Sequence, residues 1–340
     1  MSTTPRLVLD RTRLDANLTA MAERVRALGA TLRPHVKTHK SPEIMRRQLA
    51  AGAHGITAAT LHEAEAMVAA GAEDVLIAYP PVGGDRAARL AALSHSARIT
   101  VACSEPAHLD ALAGLPDEIG FYWEVDCGAG RLGTPPGEPT ARALERAPRR
   151  LRGIMTFAGH AYAGGDLGEV AAVEAAALAE TADALRARGI DPGVLSAGAT
   201  PLAGAHRSGA ASEYRFGNYV FKDATQVALG SATADECALT VEATVVGRPD
   251  ERRVILDSGS KALAAERTAA DGFGIVRGHP ELRVAQLYEE HAICLAAEPT
   301  NLEVGDRVHV IPNHACTCAN LHAAYSVDDE LWPLAARGWS

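Results

Sequence analysis

The chain has 340 residues, 47% hydrophobic and 22% charged, a composition typical of a folded globular protein rather than a disordered one. Its net charge of -9, without long runs of either sign, argues against nucleic acid or anionic membrane as a partner. No apolar run is long enough to span a membrane and the N-terminus lacks a secretory pattern, so a cytoplasmic location is expected.

Short apolar runs alternate with helical segments over the first two thirds of the chain. Apolar residues recur every three or four positions between Leu14 and Leu28, which predicts a first helix. Ser41 followed by proline predicts the start of a second helix, and the capping box of Thr60 and Glu63 predicts a third. A long alanine-rich helix is predicted over 166–189. Eight runs predict strands: 32–36, 55–59, 75–79, 99–103, 121–125, 153–157, 193–197 and 214–218. Eight strands alternating with helices predict an α/β fold with a (β/α)8 barrel, and an open doubly wound sheet is the alternative.

The pattern changes after about residue 225. ALTVEATVVG, RRVILDSGS, LRVAQLYEEHAIC and DRVHVIPNHA predict strands joined by turns, which indicates an all-β second domain. The N-terminal RLVLD could add a strand to it. We therefore expect a barrel over 12–225 and a β domain over 226–340 that includes residues 5–11.

Two charged segments follow predicted barrel strands, where the functional groups of barrels gather. In RPHVKTHK (33–40), an extended backbone would place His35 and Lys37 on one face. Lys37 is a candidate nucleophile toward an aldehyde, and the alternative is a basic turn that binds phosphate. In EVDCGAGRLG (124–133), glycines permit close approach of a ligand and Arg131 can meet an oxyanion.

Small residues follow the last two predicted barrel strands, in SAGATP (196–201) and RFGNY (215–219). The loops after strands seven and eight of such barrels commonly bind phosphate through backbone N–H groups. Ordinary tight turns are the alternative interpretation.

The segment PNHACTC (312–318) contains the candidate metal ligands. On an extended backbone His314, Cys316 and Cys318 would project to one side, and imidazole with thiolate suits zinc. Two or three protein ligands would leave coordination positions for substrate and water. The alternative is a pair of half-buried cysteines beside a surface histidine.

In order along the chain, several blocks resemble the D-threonine aldolase / D-serine dehydratase family. They run from about residue 6 to 325, and RPHVKTHK and the late PNHxC are the most specific: RPHVKTHK, GITAATLHEAEAM, VLIAYPPVG, EVDCGAGRLG, GHAY, RFGNYVF, DSGSKAL, GHPELRVAQLYEEH and PNHACTCANL. The resemblance implies the alanine-racemase-type fold, a pyridoxal-phosphate barrel followed by a β domain, and a homodimer.

The resemblance also implies roles for matching residues. Lys37 would hold pyridoxal 5'-phosphate as a Schiff base, and Arg131 would face the cofactor's phenolic oxygen. Tyr162 would approach the ring nitrogen, with Arg215 as the alternative. The phosphate would lie on Gly198, Ala199, Thr200, Gly217 and Asn218, and a divalent metal on His314 and Cys316. Zinc is the first candidate for that metal, with manganese and magnesium as alternatives.

The chain departs from the family pattern at two places. It reads GATP (198–201) where GSTP is common, and AAER (264–267) where serine and aspartate are more frequent, a change without explanation from the sequence. The His-x-Cys pair and the TLxEAE block resemble the dehydratases, whereas the aldolases carry His-x-Asp.

The resemblance therefore implies a lyase acting on a small D-configured β-hydroxy amino acid. Dehydration to a 2-oxo acid and ammonia is favoured, and cleavage to glycine and an aldehyde is the alternative. Two other functions remain as alternatives. One is a racemase, with Tyr288 or Tyr325 as its second base, and the other is a non-catalytic cofactor carrier.

Overall fold

A computed structural model describes residues 3–146 and 148–338. These residues divide into two compact units. The barrel unit comprises residues 20–37, 42–146 and 148–217, and the β unit comprises residues 3–19, 38–41 and 218–338. Residues 12–19, 38–41 and 218–225 thus group with the β unit, although the sequence analysis expected the barrel to run over 12–225.

The strands and α-helices alternate in the first part of the chain. The strands are β1 (Arg6–Leu9), β2 (Thr31–Leu32), β3 (Ile56–Ala58), β4 (Asp74–Ile77), β5 (Arg98–Cys103), β6 (Gly120–Glu124), β7 (Leu151–Met155), β8 (Val194–Ala197), β9 (Glu213–Tyr214), β10 (Leu239–Asp250), β11 (Arg253–Leu256), β12 (Gly274–Val276), β13 (Leu282–Leu287), β14 (Ala292–Ala296), β15 (Arg307–Pro312), β16 (Ala324–Val327) and β17 (Glu330–Pro333). The α-helices are α1 (Arg11–Ala27), α2 (Pro42–Ala50), α3 (Leu61–Ala69), α4 (Arg86–Ser94), α5 (Pro106–Ala113), α6 (Glu138–Leu144), α7 (Leu167–Ala187), α8 (Ala224–Ala228), α9 (Ser260–Leu263) and α10 (Ala315–Ala319).

The barrel unit contains a parallel sheet in the order β2-β9-β8-β7-β6-β5-β4-β3. Just beyond β2, a parallel bridge joins His35 to Thr57 of β3, so the two ends of this order meet and the sheet closes. Side chains of neighbouring strands pack in a buried cluster of Leu76, Ala102, Tyr122 and Met155. The predicted barrel is therefore confirmed, and the open sheet is wrong.

Local signals define the barrel helices as the sequence predicts. The Thr60 hydroxyl accepts the Glu63 N–H at 3.1 Å and caps α3, although the Glu63 carboxylate returns to the N–H of Ala59 rather than Thr60. Asp166 caps α7 by accepting from Gly168 and Glu169. The first and last strands, β2 and β9, are shorter than predicted because each extends only two residues before the chain turns.

The β unit contains a sheet in the order β11-β14-β13-β12-β15-β10-β1-β16-β17. Its pairings are antiparallel apart from β1 with β16. The N-terminal strand β1 pairs along β10 in the register Arg6 to Glu242, as the sequence suggested. Strands β12, β16 and β17 were not predicted, because each is short and lacks a clear alternation of apolar residues.

The PNHACTC segment is not extended, so that prediction is wrong. His314 has extended backbone at the N-cap of α10, and the helix begins at Ala315. Cys318 consequently lies fully buried, and its Sγ contacts the carbonyl oxygen of Ala262 at 3.2 Å. Over the residues that the structure describes, no helix is both long and apolar enough to cross a membrane.

Candidate functional site

Lys37 follows the first barrel strand, in a 3-10 turn at Val36–Thr38. The extended geometry predicted for 32–37 is therefore wrong at its end, because the backbone turns immediately after the bridge formed by His35. The Lys37 N–H donates to Nδ1 of His35 at 3.4 Å. The turn directs Lys37 from the carboxyl end of a barrel strand, where barrel enzymes carry their chemistry.

Phe157 connects Lys37 with Arg131. Nζ of Lys37 lies 5.5 Å from the ring centroid of Phe157, and Cζ of Arg131 lies 4.8 Å from the same centroid. The Arg131 guanidinium also contacts Oε1 of the buried Glu124 at 3.3 Å. The structure thus brings two predicted cofactor residues to one aromatic ring, which holds cations over its face.

The loop that carries Arg131 is shaped by Asp126. Its Oδ1 accepts the N–H groups of Gly128 at 2.9 Å and Gly130 at 3.2 Å. Gly128 has a φ of 107°, and a Cβ there would lie 3.5 Å from the His160 ring. A side chain at position 128 would therefore be strained by its backbone conformation, although its Cβ would make only an ordinary contact with His160.

Tyr162 lies in the 3-10 turn Gly159–Ala163, which follows the sixth barrel strand. This turn packs against the turn Thr200–Leu202, which follows the seventh. The predicted partner of the ring nitrogen and the predicted phosphate loop are therefore neighbours. Nδ1 of His160, in the same turn as Tyr162, is buried without a hydrogen-bond partner among the described residues.

The loop of Gly198, Ala199 and Thr200 has features that fit a phosphate. Gly198 has a φ of 131°, and a Cβ there would lie 3.1 Å from the backbone nitrogen of Arg215. The Thr200 hydroxyl is buried and lacks a hydrogen-bond partner within the described part of the chain. A buried unpaired hydroxyl at the start of a helical turn suits an anion.

Glu174 supports this loop from α7. Its Oε1 accepts the N–H of Gly198 at 3.3 Å and the hydroxyl of Thr156 at 3.0 Å. Its Oε2 lies 3.4 Å from Nε2 of the buried His206. Because Gly198 donates to Glu174, the donors left for a phosphate are the groups that follow it, at Ala199 and Thr200.

Arg215, the alternative partner of the ring nitrogen, is buried in a polar chain through the barrel. Its Nε donates to the Ser196 hydroxyl at 2.8 Å and its Nη2 to the carbonyl of Thr156. Ser196 in turn donates to Glu213 at 2.7 Å, and Glu213 pairs with Arg33. Two donors of Arg215 are thus used by the barrel itself.

The remaining predicted phosphate residues, Gly217 and Asn218, are consecutive in the chain. Gly217 is a buried residue of the barrel unit. Asn218 begins the β unit, and its Nδ2 donates to the buried Asp223 at 2.6 Å. Its Oδ1 is buried and unpaired among the described residues.

The predicted metal ligands are adjacent within the β unit. Nδ1 of His314 lies 2.9 Å from Oε2 of Glu266, and Sγ of Cys316 lies 3.2 Å from Oγ1 of Thr38. Burial disfavours the imidazolium, but Cys316, Glu266 and Asp223 outweigh this effect and raise the pKa of His314 to about 11. The histidine is also hydrogen-bonded to the Cys316 side chain.

This donor set fits a divalent cation. An imidazole nitrogen and a cysteine sulfur contact each other, and a carboxylate holds the other ring nitrogen of the histidine, as in many zinc proteins. Across the described residues, no group of three or more His, Cys, Asp or Glu side chains is arranged to hold a metal. Cys318 does not join the pair, since the helix turns its thiol to Ala262.

The tyrosines considered for a racemase differ in environment. The Tyr288 side chain is 56% exposed. Tyr325 is fully buried and its hydroxyl donates to the carbonyl of His39 at 2.7 Å. Burial raises the pKa of Tyr325 well above its ordinary value, which makes it a poor base.

Sequence reasoning missed Phe157, Glu124, Glu174 and Glu266. Phe157 ends the predicted strand 153–157 and Glu124 is the last residue of β6, positions that could have identified them. Glu174 and Glu266 carried no such signal, because their partners are remote or lie on another element of the fold.

Family models match most of the chain. A model of an alanine racemase N-terminal domain matches residues 9–225, and a model of a serine dehydratase domain matches residues 238–327. The chain is 34% identical to D-threo-3-hydroxyaspartate dehydratase of Delftia sp. (strain HT23), over 95% of this chain and 93% of the relative. It is 35% identical to a D-threonine aldolase of Arthrobacter sp., over 99% of this chain and 93% of the relative.

A solved structure of the Delftia dehydratase matches the whole length of this chain. It has a TM-score of 0.91 with 32% identity, covering 100% of this chain and 99% of that one. Two further matches are variants of a D-threo-3-hydroxyaspartate dehydratase. In one a histidine is replaced by alanine, and in another, in the metal-free form, the cysteine two positions later is replaced.

Proposed function

We propose that this chain, which belongs to the D-threonine aldolase / D-serine dehydratase family of pyridoxal-phosphate lyases, dehydrates a D-configured β-hydroxy amino acid to a 2-oxo acid and ammonia. The observation that carries the choice of dehydration is the donor pair of His314 and Cys316. The relative in which a histidine and a cysteine with this spacing were replaced is a dehydratase.

Pyridoxal 5'-phosphate would be held by groups at the carboxyl ends of the barrel strands. Lys37 would hold its aldehyde, Arg131 its phenolic oxygen and Tyr162 its ring nitrogen. The loop of Gly198, Ala199 and Thr200, together with Gly217 and Asn218, would hold its phosphate through donors other than the Gly198 N–H, which bonds to Glu174. Tyr162 is preferred to Arg215 because two donors of Arg215 bond to Ser196 and Thr156. When bound, the cofactor supplies an electron sink for negative charge at the substrate Cα.

Lys37 would also act as a base. Its amine would take the proton from the substrate Cα, which is the step that commits the reaction to elimination rather than to cleavage of the Cα–Cβ bond. Phe157 and Glu124 limit the positions of the two cations at this end of the barrel, because Lys37 and Arg131 share the Phe157 ring and Glu124 holds Arg131.

His314 and Cys316 would hold a divalent metal, zinc first and manganese or magnesium as alternatives. When bound, the metal supplies a Lewis acid for the substrate's β-hydroxyl group. Glu266 holds Nδ1 of His314, so Nε2 is the nitrogen that would coordinate the metal. Thr38, which follows Lys37 in the chain, contacts Sγ of Cys316 and limits its rotation.

Product analysis tests this proposal. The purified protein, with pyridoxal phosphate and Zn²⁺ or Mn²⁺, is incubated separately with D-serine, D-threonine and D-threo-3-hydroxyaspartate. We expect a 2-oxo acid and ammonia in equal amounts from at least one D-isomer. The L-isomers and the Lys37→Ala variant serve as controls and should give neither product.

The other outcomes identify the alternatives. Glycine with an aldehyde would make the protein an aldolase, a result that the Arthrobacter relative makes the second candidate. Interconversion of D- and L-isomers alone would make it a racemase. The homodimer and the cytoplasmic location are also proposals, to be checked by light scattering and by cell fractionation.

A further inference from the structure

Glu266 is the carboxylate nearest to the imidazole of His314. Its Oε2 accepts from Nδ1 of the histidine at 2.9 Å, although 48 positions separate the two residues. We propose that Glu266 is a positioning residue that orients His314 and sets the metal affinity of the His314–Cys316 pair. This inference rests on the proposed function, since it requires the pair to hold a metal.

The side chain of Glu266 is held in place by a second contact. The Thr317 hydroxyl lies 3.0 Å from Oε2 of Glu266 and 3.1 Å from the carbonyl oxygen of His314. Thr317 therefore joins the carboxylate to the backbone of the histidine that this carboxylate orients.

The backbone at Glu266 is also fixed. Nδ2 of Asn313 donates to the Glu266 carbonyl at 3.1 Å and to the Gly272 carbonyl at 2.9 Å. Two residues earlier, Ala264 has a φ of 63° and a ψ of 159°, a strained conformation normally left to glycine. Asn313, which precedes the candidate ligand His314, thus anchors the loop that carries Glu266. The strained residue Ala264 lies two residues before Glu266 in the same loop.

The physical effect follows from histidine chemistry. A carboxylate that accepts from Nδ1–H selects the tautomer with its lone pair on Nε2, limits ring rotation and makes that nitrogen more basic. Partners of this kind typically change metal affinity by about 10- to 100-fold when removed. The side chains of His314 and Glu266 are 27% and 42% exposed, and the hydrogen bond between them is the contact through which Glu266 would act.

The same residue accounts for a feature of the sequence that had no explanation. Glu266 belongs to AAER (264–267), where the chain departs from the family pattern. The departure retains an acidic side chain, and the structure aims it at His314.

Metal affinity of the full-length protein with its cofactor is the test. Zn²⁺ affinity is measured by competition with a chromogenic chelator for the parent and for Glu266→Ala, Glu266→Gln and Thr317→Val. Glu303→Ala, which removes an exposed surface carboxylate of the same unit, is the matched control. Circular dichroism checks that each variant is folded.

We expect Glu266→Ala to bind Zn²⁺ about 10- to 100-fold more weakly than the parent. Glu266→Gln should lie between the two, because an amide oxygen still accepts from Nδ1–H without the charge. Thr317→Val should shift affinity in the same direction, and Glu303→Ala should not. With Co²⁺ as probe, Glu266→Ala should alter the ligand-field bands and keep the sulfur-to-metal charge-transfer band.

The variants His314→Ala and Cys316→Ala distinguish failure of the role proposed for Glu266 from failure of the proposed metal site. If His314→Ala and Cys316→Ala lose Zn²⁺ while Glu266→Ala binds within twofold of the parent, Glu266 has no positioning role and the metal site stands. If His314→Ala and Cys316→Ala both retain parental affinity, the metal site itself is wrong and the role of Glu266 falls with it.

Discussion

The backbone N–H of Ala315 donates a hydrogen bond of 2.9 Å to Oδ2 of Asp223, 92 positions earlier in the chain. Ala315 lies between the two candidate metal ligands. The same buried carboxylate accepts from Nδ2 of Asn218 at 2.6 Å and from the N–H of Gln226 at 3.0 Å, where it caps α8. One side chain thus holds the metal-ligand segment and a predicted phosphate residue.

Replacing Asp223 should destabilise the protein and weaken metal binding. Asp223→Ala leaves three buried donors without an acceptor, so we expect the free energy of unfolding to fall by about 3 kcal/mol. Asp223→Asn, which keeps one acceptor oxygen, should cost less. Urea denaturation measures the free energy of unfolding of both variants and competition with a chelator measures their Zn²⁺ affinity, with the exposed Asp235→Ala as control. A loss below about 1 kcal/mol for Asp223→Ala would contradict the role of the buried carboxylate.

Lys37 should be the lysine that carries the cofactor. Borohydride reduction of the loaded protein should leave one pyridoxyl group, on the peptide that contains Lys37. Lys37→Ala should lose the visible absorbance of the bound cofactor. Lys261→Ala, which removes an exposed lysine paired with Glu289 and Glu290, should keep it. A pyridoxyl group on Lys40, Lys222 or Lys261 would show that the assignment is wrong.

The Gly198 loop should not tolerate a side chain. At a φ of 131°, with a Cβ 3.1 Å from the Arg215 nitrogen, Gly198→Ala is strained by about 1–3 kcal/mol. We expect cofactor affinity to fall about tenfold, the equivalent of 1.4 kcal/mol. Gly204→Ala is the matched control, because no atom lies within 4 Å of its added Cβ. Equal cofactor affinities for the two variants, from fluorescence titration, would exclude this account of the loop.

His206 should make the free energy of unfolding decrease as the pH is lowered. Burial lowers the pKa of His206 in the folded state, and the nearby Glu174 opposes this effect without cancelling it. The folded protein then binds fewer protons than the unfolded one, so the stabilisation is present above the unfolded pKa of about 6.5 and is lost as pH falls toward the folded pKa.

The slope of this loss should reach at most about 1.4 kcal/mol per pH unit. His206→Phe, whose ring can replace the contacts with Tyr214 and Phe216, should lack this component between pH 6.5 and 5. Urea denaturation across that range measures it, with the exposed His95→Phe as control. The same slope for His206→Phe and the parent would refute the prediction.

Removing the metal should stop dehydration without releasing the cofactor. The proposed ligands His314 and Cys316 belong to the β unit, whereas Lys37 belongs to the barrel unit. A chelator should therefore abolish formation of the 2-oxo acid and leave the visible absorbance of the cofactor intact, and added Zn²⁺ or Mn²⁺ should restore turnover. Full activity in metal-free protein would remove the metal from the mechanism.

The alternation of strands and helices could be predicted from the sequence because its signals are local. These signals act within a few residues: they are the apolar periodicity, the Thr60 cap of α3 and the Asp166 cap of α7. Short segments of sequence therefore suffice to predict a barrel followed by a run of β-strands. The same argument fails for 312–318, where apolar and polar residues are compatible with either a strand or a turn of helix, and the structure begins α10 at Ala315.

Local sequence patterns predicted the alternation of strands and helices, the resemblance to the family and the candidate residues Lys37, Arg131, His314 and Cys316. The groups that support these candidates are recognised in the folded chain alone: the Phe157 ring shared by Lys37 and Arg131, Glu174 beneath Gly198, Asp223 on Ala315, and Glu266 on His314. The physical reason is that a hydrogen bond or ring contact depends on distance in space. Strand pairing and loop closure set that distance, so it cannot be deduced from the number of residues between the two groups.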